Sequence, residues 1–219
     1  FPEKSLVPYT EAIHDRVMLE VLRGCSRGCR FCQAGVLYRP VRERDMDKLI
    51  DQAEKLVEST GYDEIALTSL SSADYTCIEP LIKGLMERFK EKKIGVSLPS
   101  LRVDAFSVGL AQEVQQVRKS GLTFAPEAGT QRLRDVINKG VTEENIMDTV
   151  AAAFSQGWTS IKLYFMIGLP TETYDDLDGI VDLAGKILAV GRKNKPQGVK
   201  KPISVTVSAS SFVPKAHTA

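Results

Sequence analysis

The stretch VMLEVLRGCSRGCRFCQAG, residues 17–35, joins a short apolar run to a loop carrying Cys25, Cys29 and Cys32. The chain has four cysteines in 219 residues, and three of them fall here with the spacing C-x-x-x-C-x-x-C. Thiols this close cannot staple distant loops, and a chain of this size with a 43% apolar composition does not need disulfides to fold. The loop therefore reads as a reduced metal or redox site. Tetrahedral zinc takes four ligands as two close pairs, and no histidine follows at finger spacing. Iron–sulfur clusters are held by thiolates, four for a cubane. Three thiolates hold three irons and leave the fourth open, and an open position marks catalysis rather than structure. Gly24 and Gly28 let the loop wrap closely and aim N–H groups at sulfur. Six arginines and one acid, Glu43, lie between Arg23 and Arg44. They offset the anionic charge of thiolates and cluster, although Arg39, Arg42 and Arg44 also fit a solvated basic face.

The run VMLEVL at 17–22 is the first of six. The others are EIALT at 64–68, IGVSL at 94–98, LTFA at 122–125, IKLYFMI at 161–167 and ISVTV at 203–207. They are near-continuous, as expected of parallel strands covered on both faces. Between them, apolar residues recur at helical spacing over Met46–Val57, Ile78–Phe89, Leu110–Val117, Ile146–Phe154 and Leu177–Leu188. Thr142 and Thr173, each followed by acids, read as helix starts. The order β-α-β-α implies right-handed βαβ units in an open sheet or a full or partial barrel. No G-x-G-x-x-G follows a strand, which disfavours a nicotinamide or flavin fold. The unusual polar and glycine-rich loops all follow strands, at the end where parallel α/β folds collect their chemistry.

With a net charge of +1, composition does not point to a nucleic-acid binder, and no apolar run reaches the roughly 18 residues of a membrane span. No signal peptide is visible, so a cytoplasmic location is expected. The chain begins at Phe1 without Met and reads as a piece of a longer protein, with residues 1–14 a strap or linker and 15–219 the core domain.

The C-x-x-x-C-x-aromatic-C loop after a first strand, with Phe31 as the aromatic, resembles the radical S-adenosylmethionine (radical SAM) superfamily. The stretch AIHDRVMLEVLRGCSRGCRFCQAGVLYRPVRER is similar to a subgroup in which this core follows a cobalamin-binding-like domain and precedes a further radical-SAM-linked domain. The resemblance implies an α/β fold, a partial (β/α)6 TIM-type barrel open on one side. It implies a 4Fe–4S cluster on Cys25, Cys29 and Cys32, S-adenosylmethionine (SAM) on the open iron, and cobalamin in the full-length protein.

The same resemblance implies roles for further residues. Phe31 lies near the adenine. Ser71 is a candidate for the SAM amino group, because Leu70, Ser71, Ser72 and Asp74 stand where a Gly-Gly-Glu-like motif is usual. Arg102 suits a carboxylate, Glu127 the amino group or ribose, and Lys162 the SAM carboxylate. Gly168, in MIGLP, permits close approach of adenine, and Val213 is an apolar contact after the sixth strand. Each has a plainer reading: a helix cap for Glu127, a surface ion pair for Arg102, a solvent-facing side chain for Lys162, and a strand-to-helix turn for Gly168. Cys77 reads as a small buried residue.

The activity implied is reductive cleavage of SAM to a radical that activates a C–H bond, with a low-potential electron donor such as a flavodoxin or ferredoxin, flanking domains, and RNA or protein as substrate. Two other classes remain open from the residues: a zinc- or cluster-containing nucleic-acid-binding module, and an assembly scaffold without SAM chemistry.

Overall fold

The computed structural model describes residues 2–10, 15–97 and 122–218. In chain order its elements are β1 (Val17–Glu20), β2 (Leu22–Arg23), α1 (Ala34–Leu37), β3 (Arg42–Glu43), α2 (Met46–Thr60), β4 (Glu64–Thr68), a 3-10 turn (Ser72–Asp74), α3 (Ile78–Phe89) and β5 (Gly95–Ser97). There follow β6 (Leu122–Glu127), α4 (Gln131–Val136), α5 (Glu143–Ser155), β7 (Ser160–Ile167), α6 (Tyr174–Asn194) and β8 (Ser204–Ser211). The fold is α/β with open parallel sheets. Among the described residues β1, β4 and β5 form one three-stranded sheet, and β6, β7 and β8 another. β2 and β3 pair antiparallel and frame the cysteine loop.

Four helices, α2, α3, α5 and α6, form where the periodicity places them, because each buries one stripe. Leu49, Ala53, Leu56 and Val57 of α2 and Leu81, Ile82, Leu85 and Phe89 of α3 pack with Val17, Leu19, Ile65 and Leu67 in one core. Ile146, Val150 and Phe154 of α5 and Leu183 and Ile187 of α6 pack with Phe124, Ile161, Leu163 and Phe165 in a second. A large side chain buried in this way contributes about 1.5–3 kcal/mol. The caps, worth about 1 kcal/mol each, fix where the helices start rather than whether they exist. Asp45 accepts from Lys48 N, and Thr142 and Asn145 cap reciprocally. The expected helix at 110–117 and the expected site residue Arg102 lie outside the described residues.

One expectation is corrected for two strands. Among the described residues β4 is buried on both faces at Ile65, Ala66 and Leu67, but β7 and β8 are not. Along β7, Ile161, Leu163 and Phe165 are buried while Lys162, Tyr164 and Met166 are not, and β8 is exposed for most of its length. Along β7 the pleat thus turns every second side chain to a more open face. On that face the register aligns Thr123, Lys162 and Thr206, then Tyr164 and Ser208. Among the described residues no helix is long and apolar enough to cross a membrane.

Candidate active site

Because the strands of each sheet are parallel, the loops after β1, β4, β6, β7 and β8 leave from their C-terminal ends. Side chains tie these loops to one another. Arg27 of the cysteine loop makes a two-pronged ion pair with Asp74, after β4, one arm at 3.0 Å. Further along the loop, the Arg30 amide donates to Ile137 O at 2.9 Å and the Arg30 guanidinium to Val136 O at 2.6 Å. Asn138 Nδ2 donates to Gly28 O at 2.9 Å. The cysteine loop is thus bonded to both halves of the chain. Arg132 of α4 donates to Thr171 O at 2.9 Å in the loop after β7, and Phe212 N, just after β8, donates to Ile167 O at 2.8 Å at the end of β7.

Cys25, Cys29 and Cys32 are not disulfide-bonded, and each is half-buried. The Cys32 amide donates to Cys29 O at 3.1 Å, the turn that follows from their close spacing. Gly24, at the root of the loop, has φ +91°, and a Cβ there would stand 2.6 Å from Tyr38 O. Only glycine lets the chain pass at that distance. Among the described residues no three Cys, His, Asp or Glu side chains gather closely enough to hold one metal ion. A cubane cluster takes its thiolates on separate irons and needs no such convergence. An all-thiol donor set on a glycine-rooted loop, with the buried Ser71 hydroxyl lacking a partner on the adjoining loop, fits a cluster with a polar co-ligand.

A small apolar cluster lies at the strand ends: Ala128, Leu133, Ile137 and Leu169, with Phe31, Val136, Met166 and Phe212 packed against it. Phe31 therefore comes from the cysteine loop to residues that follow β6, β7 and β8. Glu127, the last residue of β6, sits at φ +70° and accepts from Lys139 Nζ at 3.0 Å. The same Nζ stands 5.8 Å from the centre of the Phe31 ring. Gly168 begins the loop after β7, and a Cβ built there would meet nothing within 4 Å, so its neighbourhood is open.

Three further expected residues have these positions. Ser71 is 1% exposed, and its Oγ has no hydrogen-bond partner. Lys162 lies apart, on the open face near the start of β7, its Nζ 4.6 Å over the Tyr164 ring. It is about 10 Å along the strand from Phe165, the residue that pairs with Glu127. Val213 is 58% exposed, and it is Phe212 that joins the apolar cluster. Cys77 packs against the first core.

Several residues of the site were not singled out by sequence: Lys139, Asn138, Phe212, Arg134 and Asp176. Asn138–Lys139–Gly140 is a readable helix stop, but nothing local says that it faces the cysteines. Arg134 is fully buried and donates to Ala128 O, Gly129 O and Val141 O, each at 3.1 Å. It binds α4 to the loop after β6, and burial lowers its pKa. Beside the cysteine loop a cavity of about 540 Å³ is lined by Glu20, Arg23, Tyr38, Thr68, Ser69 and Leu70. The two-pronged bond from Arg23, at 2.9 and 2.7 Å, lowers the Glu20 pKa.

Residues 19–184 match the family model of the Radical SAM superfamily. The chain belongs to this superfamily. An uncharacterized protein of Methanocaldococcus jannaschii is 35% identical over 92% of the chain and 41% of its own length. A putative methylthiotransferase of the same organism is 25% identical over 76% of the chain and 39% of its own length. The chain thus spans about two-fifths of these curated relatives. The solved structure of the radical SAM methyltransferase TsrM from Kitasatospora setae, with cobalamin and a [4Fe–4S] cluster bound, shares the fold. Its TM-score is 0.66 at 14% identity, over 88% of this chain and 34% of that one. Radical SAM proteins are enzymes, and the partial barrel expected from the cysteine motif is the fold of these neighbours.

Proposed function

We propose that residues 15–219 form a radical SAM catalytic core. Cys25, Cys29 and Cys32 hold a 4Fe–4S cluster, and SAM lies across the strand ends. When bound, the cluster and SAM together supply a 5′-deoxyadenosyl radical by one-electron reductive cleavage of a C–S bond, leaving methionine. Phe31 and the apolar residues around it flank the adenosine. Glu127 and the unpartnered Ser71 hydroxyl accept from the amino and ribose groups. The loops that carry these residues exclude water from the reacting atoms. The chemistry this core would supply is C–H activation in an RNA or protein substrate, in modifications of the methyl- or methylthio-transfer kind that the relatives' names describe. A low-potential electron donor supplies the electron, a cobalamin domain and a radical-SAM-linked domain flank the core in the longer protein, and the cytoplasm is the compartment. Residues 2–10 act as a strap. Pro2 O accepts from Gln52 and Glu3 pairs with Lys55, both on α2.

The observation that carries this reading is Phe31. It links the three-cysteine loop to the apolar cluster beside Glu127 and Gly168, which supports a reading in which cluster and SAM share one end of the sheets. The test is product analysis after anaerobic reconstitution and reduction. 5′-Deoxyadenosine and methionine in equal amounts are expected. S-adenosylhomocysteine as the main product, or no turnover despite a full cluster, would overturn the reading.

A further inference from the structure

The residues just after α4 touch both halves of the proposed site. Backbone and side-chain bonds from Val136, Ile137 and Asn138 grip the cysteine loop at Gly28 and Arg30. The next residue, Lys139, holds Glu127 at 3.0 Å and stands over Phe31. Both members of that ion pair are largely buried, with 12% and 16% of their side chains exposed, so the pair is poorly screened and well fixed. The base is rigid as well. Lys139 N donates to Arg134 O at 2.9 Å, and the buried Arg134 guanidinium is bonded to the two residues that follow Glu127. Glu127 itself sits at φ +70°, a left-handed conformation that a non-glycine residue holds only where its surroundings impose it.

We infer that Lys139 is a positioning residue for SAM binding: it aims the Glu127 carboxylate and ties that aim to the conformation of the cysteine loop through the 136–138 clamp. The inference rests on the reading of Glu127 as a SAM contact. An acid on a left-handed residue at a strand end has two soft dihedrals and a flexible side chain. A lysine bound to one of its oxygens removes most of that freedom and leaves the other oxygen's lone pairs for a ligand. Because the same segment grips Gly28 O, a loosened cysteine loop moves Asn138, and with it the adjacent Lys139. Order in the loop and readiness of the acid are then one event.

The test uses the anaerobically reconstituted, unreduced protein and SAM itself, with affinity read by calorimetry. Lys139→Met is expected to weaken SAM about tenfold with iron content and melting temperature near those of the parent, and Lys139→Arg to restore most of the affinity. Glu127→Gln is expected to weaken SAM by a similar factor, and adding Lys139→Met to it to cost no more than about twofold further. A full tenfold loss from Lys139→Met in the Glu127→Gln background would mean that the lysine touches SAM directly and would overturn the positioning role. Unchanged affinity in Lys139→Met with a loss in Glu127→Gln would overturn it while sparing the acid. Unchanged affinity in Glu127→Gln would overturn the reading of the acid and the inference with it. Amide hydrogen exchange in the unloaded protein tests the clamp. Asn138→Ala is expected to speed exchange over residues 25–32 and to weaken SAM as Lys139→Met does. Faster exchange with unchanged affinity would show that loop and acid are not coupled.

Discussion

At the scale of the residue, Asp176 shows how a single buried charge organises the loops. It is 2% exposed. Burial alone would raise its pKa, but hydrogen bonds from Thr130, Arg132 and Thr173 outweigh that and hold the carboxyl well below the usual carboxylate range. A depressed acid contributes stability above its unfolded pKa of about 4, and that contribution is lost as pH falls through the folded value. Hydrogen bonds to a charged group are worth about 1.5–3 kcal/mol each. Asp176→Asn is therefore expected to lower the melting temperature at pH 7 by roughly 5–10 °C, a few degrees per kcal/mol in a chain of this size. The deficit should shrink as pH falls below about 4. Thermal melts of both proteins at pH 7 and pH 3 check this; an equal deficit at both would show that the charge is not what matters.

At the scale of the element, the close approach of α6 to the loop after β6 is set by two glycines. A Cβ at Gly129 would lie 2.4 Å from Ile180 N, and one at Gly179 would lie 2.7 Å from Thr130 Cγ2. Backbone cannot yield as a flexible side chain can, so Gly129→Ala must push α6 away from the site. A cost of about 2–3 kcal/mol is expected, at the upper end of overpacking. Gly185, on the exposed face of the same helix, has nothing within 4 Å of its Cβ. Gly185→Ala should stabilise by up to about 1 kcal/mol through helix propensity. Opposite signs from one substitution at two glycines of neighbouring elements, read by denaturant unfolding, separate packing from propensity. Equal effects would contradict the geometry.

At the scale of the whole molecule, two apolar cores meet through the cysteine loop. Arg27 ties the loop to Asp74 beside the first core, while Arg30 and Gly28 tie it to residues 136–138 beside the second. A cluster on this loop binds the folded state and not the unfolded one, and so should stabilise the whole chain by mass action. Loading is expected to raise the melting temperature by at least about 5 °C, and chelation of the iron to return it. A Cys25, Cys29 and Cys32 triple alanine variant should show no such rise, whereas Cys77→Ala should keep it, because Cys77 packs in the first core. Loss of cluster in Cys77→Ala, assayed as iron and sulfide, would reassign the ligands.

The sequence by itself determined the βα alternation, four of the helices with their buried stripes, the caps at Thr142 and Thr173, and the cysteine loop at a strand end. All are local: periodicity, capping and ligand spacing act over a few residues and can be read there. It left undecided which strand faces are covered. IKLYFMI looks continuous, but its pleat buries Ile161, Leu163 and Phe165 and leaves Lys162 and Tyr164 less covered. Only the tertiary structure decided that Asn138 and Lys139 meet a loop more than a hundred residues earlier, that Phe212 rather than Val213 packs at the end of β8, and that Lys162 lies apart from Glu127. These are long-range contacts. They depend on how the two sheets and the cysteine loop are brought together, and no pattern within a short window encodes that.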